Sequence, residues 1–222
     1  MKHLPNQAVF SQNEVDAMVQ VAPSVWWDAF IRLSIASGLR VQEILRLHYS
    51  DIDHATNSVR VTAAPIEYER EDHQHDLRRP LPVHRERVVP VDDQAMYALQ
   101  RLMEECSAGS HVFVPSWKLD QLWFRLQNGE SLSITHLCPQ LGSGFRMVQR
   151  RAAVQHAVAS GVMLAQVQWP MRPVAALRAT AIKQLSGKLP PRRLAEYLGL
   201  VSIASILSFY DQTPSPQPEG VQ

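Results

Sequence analysis

The sequence predicts a mainly helical fold with a small antiparallel β-sheet, an α+β arrangement. One observation is that capping residues and helix-spaced apolar residues recur over most of the 222 residues. Another is that two segments alternate apolar and polar residues as strands do, residues 58–62 and 85–91. Because 45% of the residues are hydrophobic and no clear linker interrupts them, we expect one domain over residues 1–211.

The first three helices follow from local signals. Ser11 and Glu14 form a capping box, which predicts a helix start. A second helix, rich in apolar and aromatic residues, is expected over residues 24–37, since Gly38 is typical of a helix stop. A third helix, residues 41–47, follows at once.

The two alternating segments predict an antiparallel strand pair, to which one edge strand is added. Between them, residues 64–84 are too polar and charged to form a core. The histidines and aspartates of this stretch lack the spacing of a helix-based metal site, so we expect a solvated hairpin tip and neither metal nor cofactor. Asp92 or Asp93 is expected to cap the next helix.

The C-terminal part is predicted to be helical after a short strand or extended piece at residues 111–114. Helices are expected at about residues 119–127, 142–160, 173–185, 190–198 and 202–210. Helix stops are expected at Gly161, Gly187 and Gly199. The proline-rich end, residues 212–222, predicts a disordered tail.

The charge is unevenly distributed although the net charge is +1. Residues 141–200 hold nine basic residues and one acidic residue, or +8, against −5 for residues 1–140 and −2 for the rest. Such a concentrated block indicates a polyanion partner, the alternative being an ordinary solvated face. With no span long enough for a bilayer and two cysteines that form no disulfide framework, we expect a cytoplasmic protein without membrane contact.

Two arginines stand out by their setting. Arg40 follows the Gly38 stop in S-G-L-R-V-Q-E, with Glu43 one turn further along the next helix. Arg178 lies inside a later helix, in V-A-A-L-R-A-T-A-I-K-Q-L. A guanidinium suits phosphate binding because it stays charged and its fork matches two phosphate oxygens. The alternative for each is an arginine on a plain helix surface.

A third segment, L-A-E-Y-L-G-L-V-S-I-A-S-I-L-S-F-Y-D, has a Leu-Gly helix stop and then a short helix ending at Tyr210. Together the three segments resemble the catalytic domain of the tyrosine recombinases, the phage-integrase family. The resemblance implies that Arg40 and Arg178 clamp a DNA phosphate, and that a tyrosine attacks phosphorus. It covers nearly the whole chain from about residue 10, so no separate N-terminal core-binding domain is expected.

The resemblance has gaps at polar positions of the site. Ala175 stands where the family pattern H-x-x-R has its histidine, and Leu200 stands where a second histidine or a tryptophan is usual. No lysine lies in or near the hairpin, where active members carry the residue that protonates the leaving oxygen. The hairpin-region arginines can supply charge, but arginine is a poor proton donor; they are Arg78, Arg79, Arg85 and Arg87.

The nucleophile is ambiguous. Counted from Gly199, the usual spacing places Phe209 at the tyrosine position and Tyr210 one residue later, a rotation of about 100° on a helix. Either the preceding loop absorbs the extra residue and Tyr210 reacts, or position 209 has lost its hydroxyl and Tyr210 only packs.

The leading hypothesis is a recombinase-like protein that binds double-stranded DNA and has an eroded phosphodiester-transfer site. Predicted DNA contacts are Arg146, Arg150 and Arg151 on one helix, with Lys183 on the Arg178 helix. A second copy or another recombinase is a further candidate partner. The alternatives are an active tyrosine recombinase that uses Tyr210, and a non-catalytic helical protein-interaction module.

Overall fold

The computed structural model describes residues 9–62, 86–105, 111–114, 138–200 and 203–210. Its helices are α1 Gln12–Gln20, α2 Val25–Ser37, α3 Val41–Leu45, α4 Asp93–Glu105, α5 Leu141–Ser160, α6 Ala175–Ser186, α7 Pro191–Tyr197 and α8 Leu207–Tyr210. Its strands are β1 Ile52–Asp53, β2 Ser58–Val61 and β3 Arg87–Pro90. The mainly helical prediction with a small sheet is therefore confirmed. No helix of the described part is both long and apolar enough to cross a membrane.

The sheet is antiparallel throughout, in the order β1-β2-β3. Val59 pairs with Ile52 on one side and Val89 on the other, and all three are buried. The exposed residues Arg60 and Val88 pair on the opposite face. The alternation read from the sequence thus sets the register, because side chains along a strand point to opposite faces in turn.

Helix α2 lies at the centre of the main core and packs against both α4 and α6. Its aromatic residues form a cluster: the rings of Trp26 and Phe30 stack with centroids 5.0 Å apart, and the ring of Trp27 stacks on Phe145 of α5. The indole of Trp26 donates to the carbonyl of Phe113 at 3.0 Å, which satisfies its N–H. This cluster ties α2 to α5 and to residues 111–114.

A smaller satellite cluster lies between α6, α7 and α8. Its buried members are Ile182, Leu194, Ala195, Leu198 and Ile206. Tyr197 packs against both this cluster and the main core. The C-terminal helices therefore have their own small apolar anchor beside the larger one.

Some predicted boundaries are corrected. The helix expected over residues 41–47 ends at Leu45, and that expected over 202–210 divides into a 3₁₀ turn at Ile203–Ser205 and α8. Residues 111–114 form no strand in a sheet; His111 makes an isolated antiparallel bridge with His48. The helix predicted over 119–127, the stretch 64–84 and the tail 212–222 lie outside the described residues.

The expected helix stops are present. Gly161 and Gly199 adopt φ values of +64° and +65°, which favour glycine. Gly187 follows α6 with an ordinary helical φ of −75°, so it ends that helix without the left-handed turn.

Residues 10–14 are bonded to the segment that contains Arg172 and α6. Glu14, in the predicted capping box of α1, accepts a hydrogen bond from Arg172 at 2.8 Å, and the Arg172 guanidinium lies over the ring of Phe10. The backbone N–H of Phe10 donates to the hydroxyl of Thr180 on α6 at 2.8 Å. One arginine of the basic block is therefore used inside the protein.

Burial opposes ionisation of Glu14, but the hydrogen bonds from Arg172 and Ser11 outweigh it and hold the pKa of Glu14 below its ordinary 4.5. A carboxyl whose pKa is lowered by folding stabilises the protein above the pKa of the unfolded chain. That contribution is lost as the pH falls through the lower, folded pKa.

We predict that a double-mutant cycle with Glu14→Ala and Arg172→Ala gives a coupling of about 1–3 kcal/mol at neutral pH, since both side chains are largely buried. The coupling should vanish on acidification below the folded pKa of Glu14. Urea unfolding measures it. The exposed pair Arg101–Glu105 on α4 is the matched control and should couple by less than about 0.5 kcal/mol. Equal coupling in the two pairs would show that the bond between Glu14 and Arg172 stabilises the protein no more than a surface ion pair does.

Candidate functional site

A buried carboxylate, that of Glu43, organises the candidate site. Gly38 ends α2 with φ +62°, and a Cβ there would lie 2.9 Å from the side chain of Leu198, so the turn fits closely against the residue after α7. The turn delivers Arg40 to the start of α3 and Glu43 to its first turn. The Glu43 Oε2 atom accepts the backbone N–H of Arg40 at 2.7 Å. This local bond fixes the carboxylate at the helix start.

Two arginines from distant elements converge on the same carboxylate. Arg87 of β3 donates from Nη1 and Nη2 to the two oxygens of Glu43, at 3.0 Å and 3.1 Å. Arg178 of α6 places its Nη1 atom 3.7 Å from Glu43 Oε2. A forked pair such as that of Arg87 is geometrically specific as well as strong.

The cluster carries an excess of positive charge. The charges of Arg40 and Arg87 both act on the guanidinium of Arg178. Three arginines and one glutamate sum to three minus one, or +2. Such an excess in a largely buried setting favours an anion.

Arg178 is the member whose bonding is incomplete. Its side chain is 18% exposed, and its Nη1 atom is buried without a hydrogen-bond partner among the described residues. Burial, with smaller contributions from Arg40 and Arg87, lowers the pKa of Arg178 to about 10 in spite of the attraction of Glu43. The group therefore remains protonated at neutral pH, and a buried N–H without an acceptor is costly.

The predicted approach of Arg40 and Arg178 is observed. Arg40 and Arg178 are 138 positions apart in the chain. The backbone N–H of Arg40 and the guanidinium of Arg178 both approach the carboxylate of Glu43. Their action on a phosphate stays a prediction.

Arg87 was missed as an organising residue, since the sequence suggested it only as one of several substitute charges. The signal was in the strand pattern: Val89 faces the core, and Arg87 is two residues earlier on the same face. A charged residue on an inward face implies a buried partner.

Tyr197 was also missed. Its hydroxyl donates to the carbonyls of Pro90 at 2.8 Å and Ala36 at 3.3 Å, and so ties α7 to β3 and α2. Burial raises the pKa of Tyr197 to about 12, with a further rise from Asp92 and an opposing effect of Arg87. A neutral hydroxyl shared in this way between two carbonyl oxygens stabilises the packing of α7 on its neighbours.

Two of the departures from the family pattern, Ala175 and Leu200, have apolar side chains in different settings. Ala175 is exposed at the first position of α6, and Leu200 packs against the satellite cluster. Neither side chain can donate to an anion.

Arg178 lies near the N-terminal end of α6, whereas Tyr210 is bonded past the C-terminal end of that helix. Its hydroxyl donates to the carbonyl of Leu189, beyond the C-terminal end of α6. The eight residue steps from Arg178 to Ser186 span about 12 Å of helix axis, and the Arg178 side chain is on the N-terminal side of that span. Burial raises the pKa of the Tyr210 phenol. Phe209 packs against the satellite cluster.

The predicted DNA-contacting residues fall into two groups. Arg146, Arg150 and Arg151 are exposed on α5, within an arc of about 140° at 100° per residue. Lys183 is half-buried, and its ammonium donates to the carbonyl of Phe209 at 3.3 Å, near the end of α8. Elsewhere in the basic block, the exposed Arg192 and Arg193 lie beside Glu196.

Within the described ranges, no group of three or more histidine, cysteine, aspartate or glutamate side chains is placed to hold a metal ion. The histidines and aspartates of residues 72–84 lie outside those ranges.

Several solved structures share this fold. XerA recombinase matches with a TM-score of 0.60 and 16% identity, over 93% of this chain and 61% of that one. The Tn1549 transposon integrase, in complex with transposon right end DNA, matches with a TM-score of 0.60 and 16% identity over 93% and 62%. A lambda integrase dimer bound to a core site matches with a TM-score of 0.51 and 14% identity over 96% and 50%.

This chain thus spans less than two thirds of the length of those proteins. No curated protein matches it in sequence. The sequence pattern of the phage integrase family matches residues 8–214, nearly the whole chain, and so covers Arg40, Glu43, Arg178 and Tyr210 together. The match and the shared fold confirm the resemblance seen in the sequence: the chain belongs to the phage integrase family, the tyrosine recombinases.

Proposed function

We propose that the protein binds double-stranded DNA and holds one backbone phosphate at the Glu43 cluster, with strand transfer absent or very weak. The observation that carries the proposal is the excess of two positive charges around Glu43, together with the buried Nη1 atom of Arg178 that lacks an acceptor. A phosphate oxygen would supply that acceptor and offset the charge.

Duplex DNA is the favoured polyanion for two reasons. The exposed arginines of α5 add three positive charges on one helix face, and phosphate contacts of this kind position a duplex without reading its sequence. In addition, structural neighbours of the same fold, the Tn1549 and lambda integrases, were solved with DNA. Assembly with a second copy or another recombinase belongs to the same proposal, since the lambda protein is a dimer in its complex.

Weak strand transfer is expected from the groups around the cluster. Cleavage needs a proton donor for the leaving oxygen, and arginine, with its high pKa, is a poor one. Ala175 and Leu200 offer no polar atom, and single contributions of this type are typically worth about 3 kcal/mol of transition-state stabilisation. The Tyr210 hydroxyl donates to the carbonyl of Leu189, past the C-terminal end of α6.

The alternative is an active recombinase in which α8 moves. Tyr210 is a tyrosine at the end of a four-residue helix, and Leu189 is the acceptor of its hydroxyl. Released from that carbonyl, the hydroxyl would lose its proton to a base and its oxygen would bond to phosphorus. The bond from phosphorus to the 5′ oxygen of the next nucleotide would break, and that oxygen would take a proton from an unidentified acid.

We predict that the protein binds a fluorescent DNA duplex with an affinity that falls steeply with salt, at a log–log slope of about −0.9 per neutralised phosphate. Changing Arg146, Arg150 and Arg151 to glutamate should abolish binding, because the change removes three contacts and adds repulsion. Fluorescence anisotropy at several KCl concentrations measures both effects. The matched control replaces the same three residues by lysine and should retain most of the affinity. Undiminished binding of the glutamate variant would show that the DNA interface lies elsewhere on the protein.

We predict no covalent adduct, or only a trace, when the protein is incubated with a nicked suicide DNA substrate and separated by denaturing electrophoresis. The reason is the missing proton donor and the engaged Tyr210 hydroxyl. Tyr210→Phe is the control, since it removes the hydroxyl and leaves the ring in the satellite cluster. A strong adduct that disappears in Tyr210→Phe would establish the active recombinase instead.

A further inference from the structure

The guanidinium of Arg87 is directed entirely at the protein. Its Nε atom donates to the carbonyl of Tyr197 at 2.9 Å, and its two terminal nitrogens donate to the two oxygens of Glu43. The side chain is 8% exposed. A group bonded and buried in this way has its donors engaged within the protein, although it lies within the charged cluster.

The backbone of Gly199 forms the surface on which this guanidinium lies. A Cβ at position 199 would lie 2.7 Å from Nη1, 3.0 Å from Cζ and 3.2 Å from Nε of Arg87. A side chain there would have to push the guanidinium aside, and that shift would disturb its hydrogen bonds to Tyr197 and Glu43. Gly161 has nearly the same φ, +64° against +65°, but a Cβ there meets nothing within 4 Å.

The hydrogen bonds from Arg87 limit how closely the carboxylate of Glu43 can pair with Arg178. Both carboxylate oxygens accept from Arg87 at about 3 Å, and the approach of Arg178 Nη1 is the longer one, 3.7 Å. Without Arg87, the carboxylate would be free to turn towards Arg178 and form the close, forked pair that arginine and carboxylate prefer. Such a pair would occupy Nη1 and neutralise the group.

The geometry points to Arg87 as a positioning residue that holds Glu43 away from Arg178 and so keeps Arg178 available to an anion, with Gly199 as the surface that holds Arg87. The inference rests on the proposed phosphate site, and it adds that the site depends on a buried arginine that never touches the phosphate. The local charge agrees: losing Arg87 alone lowers the excess from +2 to +1, whereas losing Arg87 and the Glu43 charge together restores +2.

Gly199→Ala tests the inference most directly, because it displaces Arg87 and changes no charge. The side-chain Nε–H signal of Arg178 in ¹⁵N–¹H spectra should shift in this variant, although residue 199 does not touch Arg178. Binding of a DNA duplex should weaken on the order of tenfold, as expected for loss of about one charge-assisted hydrogen bond. Gly161→Ala, which carries the same backbone strain without the clash, should change neither quantity.

Arg87→Ala and Arg87→Ala/Glu43→Gln form the second pair. The single variant should weaken DNA binding on the order of tenfold, and the double variant should recover most of it, because an amide cannot pair with Arg178 as a carboxylate does. Near-UV circular dichroism and thermal unfolding establish that each variant is folded. If the single variant fails to fold, Gly199→Ala and the double variant still decide the matter.

An unchanged Arg178 signal in Gly199→Ala would overturn the positioning role, whatever the DNA affinity. A shifted signal in Gly199→Ala, with DNA binding that is insensitive to this variant and to Arg178→Ala, would support the positioning role and refute the phosphate site. Loss of affinity in the double variant equal to that in Arg87→Ala would also overturn the inference, since it would mean that Arg87 acts by its own charge.

Discussion

The carboxylate of Glu43 is the constraint on which the candidate site depends. It lies almost fully buried among the charges of three arginines, and it receives the backbone of one and the guanidiniums of two. Removing one partner of a buried ion pair typically costs about 3–5 kcal/mol, because the other charge is then left without compensation. These buried charges lie where three segments that are distant in sequence meet, those of Arg40, Arg87 and Arg178.

The surrounding fold brings those segments together. The Gly38 turn lies close to Leu198, the strand β3 delivers Arg87 beside Gly199, and the Tyr197 hydroxyl bonds to carbonyls of α2 and β3. Helix α7 is thus the element against which both the first and the middle parts of the site are held. Tyr210 instead contacts Leu189 and the satellite cluster. The charged site and Tyr210 are therefore held by different groups of residues.

Much of this could be predicted from the sequence because it is local. The capping box at Ser11 and Glu14, the alternation around Val59 and the glycine helix stops are set by neighbouring residues, and they recur in the structure. The Arg40 and Arg178 segments were recognisable because a family pattern surrounds each. The bond between Arg87 and Glu43 was not predictable in this way, since two charged residues 44 positions apart carry no mark of their pairing. The same holds for Arg172, which the charge count assigned to a basic surface and the structure pairs with Glu14.

We infer that Arg178 is available to an anion while the guanidinium of Arg87 is already engaged by Glu43 and Tyr197. The most direct measurement is a titration of the folded chain with inorganic phosphate, followed through the side-chain Nε–H signals of the arginines. We predict saturable shifts for Arg40 and Arg178, with little change for Arg87 and for Arg172, which is paired with Glu14. Uniform small shifts of all four signals, or no saturation at Arg178, would contradict it.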